Sequence, residues 1–177
     1  MIRKIIGGTV AVVIGGSTFA ISQGDVVNNF AKNSGMSQDQ AQQYVNNISP
    51  KDLQSFGKIG ESFISDGNGI LSAANGIDCN NYKYNWESPT LSCDDGKNQL
   101  TKTGNDEVSL GNCLKSLDTN LGSNAKPKIN ECIQFIDVMN SDYSFEIVSA
   151  TLNSKDISDA KNANIYNKSV LEAAIKN

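Results

Sequence analysis

The sequence predicts a mainly α-helical protein: one N-terminal transmembrane or signal helix, then a small disulfide-bonded helical domain with one short extended aromatic segment. Three observations predict this. The stretch 5–21 carries no charge and follows directly on Arg3 and Lys4. Beyond it, apolar residues recur at three- and four-residue spacings, the period of helices with one face turned inward. The four cysteines, at 79, 93, 113 and 132, all follow the apolar stretch, as in an exported and oxidised chain.

Taken as a helix, the roughly 17 residues of the first stretch span about 25 Å, the short end of what crosses a bilayer core. One reading is a cleaved signal peptide, with Arg3 and Lys4 as n-region, residues 5–14 as h-region, and the small residues Thr18 and Ala20 at the cleavage site. The other is an uncleaved signal-anchor, a single-pass helix. The short n-region and the apolar character continuing through Phe19 and Ile21 favour the anchor. Gly7, Ala11 and Gly15 recur every fourth residue, so on a helix they form a stripe of small side chains. Gly8 and Gly16 widen it, and a second transmembrane helix packs closely on such a stripe. Basic residues precede the stretch while Gln23, Gly24 and Asp25 follow it. The N-terminus is therefore expected in the cytoplasm and the bulk of the chain on the lumenal or periplasmic side.

Residues 24–66 predict a small three-helix module after the membrane segment 1–23. Val26, Val27 and Phe30 have helical spacing over 25–33, and Ser34-Gly35 ends that helix. Ser37 and Gln40 form a capping box, opening a helix with Ala41, Tyr44, Val45 and Ile48 inward. Ser49-Pro50 starts a third, with Leu53, Phe56, Ile59, Phe63 and Ile64 on its apolar face. The run 66–69, Asp-Gly-Asn-Gly, reads as a turn. It lacks the later ligands of a calcium loop.

Residues 67–177 predict a disulfide-stabilised helical region. Between Cys79 and Cys93 the chain is least helical, and Tyr82, Tyr84 and Trp86 alternate with polar residues. Period two puts the three rings on one side of an extended segment, which either covers the module or forms an aromatic recognition surface. Pro89 keeps this segment out of a central strand. Helices are expected at 95–102 and at 106–117, the latter capped by Asn105, then at 126–139. Ser141 would cap 142–152, though its β-branched content also suits a strand. Weaker helices follow at 154–163 and 168–176. Cys113 and Cys132 are symmetric about Gly122-Ser123, so antiparallel helices flanking that turn bring their thiols level, leaving Cys79 to pair with Cys93.

The chain contains no histidine. Ser–His and Cys–His nucleophiles and histidine-ligated metals are thereby excluded. It has no phosphate- or dinucleotide-binding glycine motif either. The carboxylate pairs Asp94/Asp95 and Asp106/Glu107 sit where a helix N-terminus favours negative charge. No catalytic residue, metal or cofactor is expected, and the protein reads as a non-enzyme. Net charge is −4 over 15 basic and 19 acidic residues, which argues against nucleic acid and against docking on anionic lipid.

The runs Val26-Val-Asn-Asn-Phe30, Ala41-Gln-Gln-Tyr-Val-Asn-Asn-Ile48, Ile77-Asp-Cys79, Tyr84-Asn-Trp-Glu-Ser88 and Leu91-Ser-Cys93 resemble small single-span proteins of cyanobacteria, over most of residues 24–118. The resemblance implies a thylakoid or plasma-membrane protein with a lumenal or periplasmic domain, tied to a photosynthetic complex. The expected function is an accessory or assembly subunit of a membrane protein complex. The small-residue stripe would then meet a partner helix amid lipid, and Tyr82, Tyr84 and Trp86 the partner's exported loops. The alternative is a secreted or periplasmic disulfide-stabilised binding or inhibitor module whose leader is removed.

Overall fold

The computed structural model describes residues 9–14, 16–48, 55–80 and 91–176. The described part of the opening stretch is an antiparallel hairpin of β1 (Thr9–Ile14) and β2 (Ser17–Ser22), and this corrects the helix expected over 1–23. Thr9 lies opposite Ser22 and Ile14 opposite Ser17. The cause is local: Thr9, Val10, Val12, Val13, Ile14, Thr18 and Ile21 are β-branched, and their stiff side chains suit a pleat better than a helix. Gly16, at φ 75°, adopts the left-handed conformation that reverses the chain between the strands. Ile14, Phe19 and Ile21 are buried in the main core. Among the described residues no helix is long and apolar enough to cross a membrane. Of the expected stripe residues, Ala11 and Gly16 are described. Ala11 pairs with Ala20 across the ladder, and Gly16 makes the turn. Gly7, Gly8 and Gly15 lie outside the described residues.

The rest of the described chain is helical: α1 (Gln23–Ser34), α2 (Gln38–Asn47), α3 (Phe56–Asn75), α4 (Cys93–Ser116), a 3-10 turn at Gly122–Asn124, α5 (Ala125–Asp142), α6 (Glu146–Thr151) and α7 (Ser154–Ile175). Gly35, φ 72°, ends α1 with its N–H donated to the Ala31 carbonyl. The capping box of α2 is complete: the Gln40 N–H donates to Ser37 Oγ at 3.3 Å and the Ser37 N–H to Gln40 Oε1 at 3.1 Å. Ser37→Ala is expected to lower stability by about 1 kcal/mol, seen as a reduced urea midpoint at unchanged m-value.

Packing crosses the limits suggested by sequence. The rings of Phe30 and Tyr44 stack 4.6 Å apart where α1 meets α2. The main partner of α1, however, is α7, from the far end of the chain. Buried Asn29 donates to the Ser169 carbonyl at 3.2 Å and accepts from Lys176 Nζ at 3.0 Å, while Asn33 donates to Glu172 Oε2 at 2.8 Å. The third helix of the expected 24–66 module packs instead on α4. Leu110, Leu114 and Leu117 from α4 and its end, Ile129, Ile136 and Met139 from α5, and Leu171 from α7 are fully buried in the shared core.

Several expected breaks are absent. α3 runs unbroken through 66–69, α4 through Asn105, and α7 through 163–168. Over 142–152 the helix is only α6, since α5 runs on to Asp142. Asp94 and Asp95 do occupy the first turn of α4, whose cap Ser92 accepts from the Asp95 N–H at 3.1 Å. Asp106 and Glu107 lie mid-helix, so capping does not account for them.

Candidate functional site

α3 lies along α4 and packs on no other described element to a comparable extent. Two glycines on each helix make this possible, Gly60 and Gly67 on α3 and Gly104 and Gly111 on α4. Each pair is seven residues, or two turns, apart, so its members share a face. A Cβ at Gly60 would stand 2.4 Å from the Gly111 carbonyl oxygen, and one at Gly67 2.7 Å from that of Gly104. The early glycine of α3 meets the late one of α4, so the helices run antiparallel with backbone against backbone. Ile64 lies against Gly111 and Leu71 against Gly104.

At one end of the pair, Cys79 is bonded to Cys93, the first residue of α4, with Cα atoms 5.7 Å apart. Lys97 Nζ also donates to the Ile77 carbonyl at 2.9 Å. The base of the connecting segment is thus fixed on both sides. Its aromatic residues Tyr82, Tyr84 and Trp86 lie outside the described residues. The second disulfide, Cys113–Cys132, joins α4 to α5 inside the core, with Cα atoms 5.5 Å apart. The two pairs are those implied by the symmetric turn.

Glu107 sits on the glycine face of α4, three residues after Gly104 and four before Gly111. It is 8% exposed, and its Oε2 has no hydrogen-bond partner. A Cβ at Gly67 would lie 3.0 Å from Glu107 Cβ, which places the carboxylate stem in the seam. Burial, and then the charge of Asp66 on α3, pushes its carboxyl up to about 7. Tyr143 is pushed up to about 12 by burial and by the charges of Glu107 and Asp66, with a hydrogen bond to Asn164 acting the other way.

A second buried carboxylate lies at the end of α5. Asp142 is 1% exposed; its Oδ1 accepts from Lys102 Nζ at 2.7 Å, and its Oδ2 has no partner. Lys102 also reaches Asp106 at 2.5 Å and lies 5.3 Å over the Phe145 ring. Burial raises the Asp142 carboxyl against the opposing pull of Lys102. The hydrogen bonds to Asp106 and Asp142 raise Lys102 in turn. Among the described residues no group of three or more acidic or cysteine side chains converges to hold a metal ion. A groove of about 270 Å³ between α1, α5 and α7 is lined by Asn33, Asp137, Asn140, Lys161, Ile165 and Lys168, and neither buried carboxylate lines it.

Sequence reasoning sought a small-residue helix contact in the opening stretch, whereas the described structure has one between α3 and α4. The seven-residue spacing of Gly60/Gly67 and Gly104/Gly111 was the available signal. A carboxylate midway between the second pair was the signal for Glu107. The class defined by these features is a disulfide-bonded helical protein with a glycine-packed helix pair and an N-terminal β-hairpin. The chain matches no protein-family model, no curated protein and no solved structure.

Proposed function

We propose that the protein is an exported, non-catalytic binding module whose contact surface is the segment carrying Tyr82, Tyr84 and Trp86. The observation that carries this is the Cys79–Cys93 bridge at the end of the α3–α4 pair, which ties both ends of that segment to one helix terminus. A pre-tied segment loses less conformational entropy on binding, and Tyr and Trp are the side chains that most often anchor interfaces. Every described cysteine is disulfide-bonded, which suits an oxidising compartment. The net charge of −4 favours a partner with basic side chains.

A second reading is supported by the uncharged stretch after Arg3 and Lys4 and by the cyanobacterial resemblance. There the protein is a membrane-anchored accessory subunit with its domain on the lumenal or periplasmic side, and residues 9–21 leave the core for the bilayer. Alkaline extraction of membranes with N-terminal sequencing separates the two: the module is released, the anchored subunit retained with its first residues intact. Binding is tested by crosslinking and capture with wild type and Trp86→Ala. Recovery of the partner should fall about tenfold or more with the variant. Equal recovery from both would remove the aromatic segment from the interface.

A further inference from the structure

The α3–α4 seam holds an ionisable group that its surroundings leave unserved. Ionised, Glu107 would need hydrogen bonds or water at Oε2, and that oxygen has neither a partner nor exposure. The charged and titratable groups facing it give no relief. From α3 comes Asp66, a like charge. From the end of α5 comes Tyr143, whose hydroxyl stays neutral to about 12. On α4 itself, Lys102 is engaged by Asp106 and Asp142. α6 contributes Glu146, but its neighbour Ile147 donates to Gln99 at 3.2 Å, two helical turns from Glu107. Among the described residues no ion pair involves Glu107.

The element covering Glu107 packs mainly on one described element, α4. α3 meets α4 backbone to backbone at its glycines, and its own apolar residues Phe56, Ile59 and Phe63 are only partly buried against the core. One exposed ion pair joins the two helices, Lys115 with Glu61 at 3.3 Å, and such pairs contribute little. Among the described residues, the disulfide joining the ends of the two helices is Cys79–Cys93.

We propose that α3 and α4 form a proton-operated latch, closed while Glu107 is protonated and loosened when Glu107 ionises, with α3 lifting about the Cys79–Cys93 bridge. The sign follows from a carboxyl whose folded value is raised above its unfolded one. Its neutral form favours the closed pair fully in acid, and this contribution is lost as pH rises from the ordinary carboxylate range through about 7. The closed state therefore belongs to acidic surroundings and the loosened state to neutral or alkaline ones.

Amide hydrogen exchange of the full chain, corrected for intrinsic pH dependence, tests this with α7 as internal reference. Exchange in α3 relative to α7 should rise about tenfold between roughly pH 5 and pH 8 in the wild type. Glu107→Gln should abolish the rise, and Asp66→Asn should move its midpoint to lower pH by removing the opposing charge. A constant α3-to-α7 ratio in the wild type, or an undiminished rise in Glu107→Gln, would overturn the latch. Should Glu107→Gln fail to fold, an unmoved midpoint in Asp66→Asn would overturn it independently.

Discussion

Gly60→Ala is expected to destabilise the protein by about 3 kcal/mol, the upper end of the cost of overpacking. The new methyl would lie 2.4 Å from the Gly111 carbonyl oxygen and 2.7 Å from the Lys115 nitrogen. Both are backbone atoms of α4, so no side-chain rotation relieves the clash and the helices must separate. Separation would weaken the matching contact between Gly67 and Gly104 as well. Gly57→Ala is expected to cost less, because the atoms it meets belong to the side chain of Asp118, which can rotate away. Gly69 supplies the control. It lies on the same helix, a Cβ there meets nothing within 4 Å, and Gly69→Ala should gain about 0.5–1 kcal/mol by restricting the unfolded chain. Urea denaturation of the three variants reads the result. Equal effects of Gly60→Ala and Gly69→Ala would mean that the helices do not meet through their backbones.

Removing the Cys113–Cys132 bridge should cost a further large amount, about 3 kcal/mol from loop closure alone for a separation of 19 residues. The two sulfurs stand between α4 and α5 amid Leu110, Leu114, Ile129 and Ile136, all buried with them. Cys113→Ala with Cys132→Ala therefore also leaves a void in the core, and the loss should exceed the entropic figure. The bridge at Cys79–Cys93 is half-buried and lies outside that core. Accessible disulfides exchange with thiolates more readily than enclosed ones. Titration of the native protein with dithiothreitol, followed by alkylation and peptide mapping, should label Cys79 and Cys93 first. Labelling of Cys113 and Cys132 should track global unfolding. Simultaneous labelling of all four would show that the core bridge is not enclosed.

Much of the local architecture was legible because it depends on neighbours in the chain. The Ser37–Gln40 box, the stop at Gly35 and the acidic first turn of α4 are each decided within four residues. The centre of symmetry at Gly122-Ser123 set the cysteine pairs in the same way, since a turn between helices levels residues equidistant from it. The helical character of the chain after residue 22 was equally readable from its apolar spacing.

Other features depended on what lay opposite. Residues 9–21 are apolar nearly throughout, so no periodicity separates a buried strand from a membrane helix; β-branching and Gly16 tip them to a hairpin, and the covering core seats Ile14, Phe19 and Ile21. The glycines at 67 and 69 read as a turn because isolated glycine weakens a helix. Gly67 is tolerated where the backbone of α4 comes close enough to use the missing side chain. Sequence alone therefore determined the Ser37–Gln40 box, the stop at Gly35, the helical character and the disulfide partners, which are short-range matters of hydrogen bonding and chain geometry. Tertiary structure decided which helix meets which, the fate of the apolar stretch and the burial of Glu107, because solvent exclusion depends on surfaces brought together from distant parts of the chain.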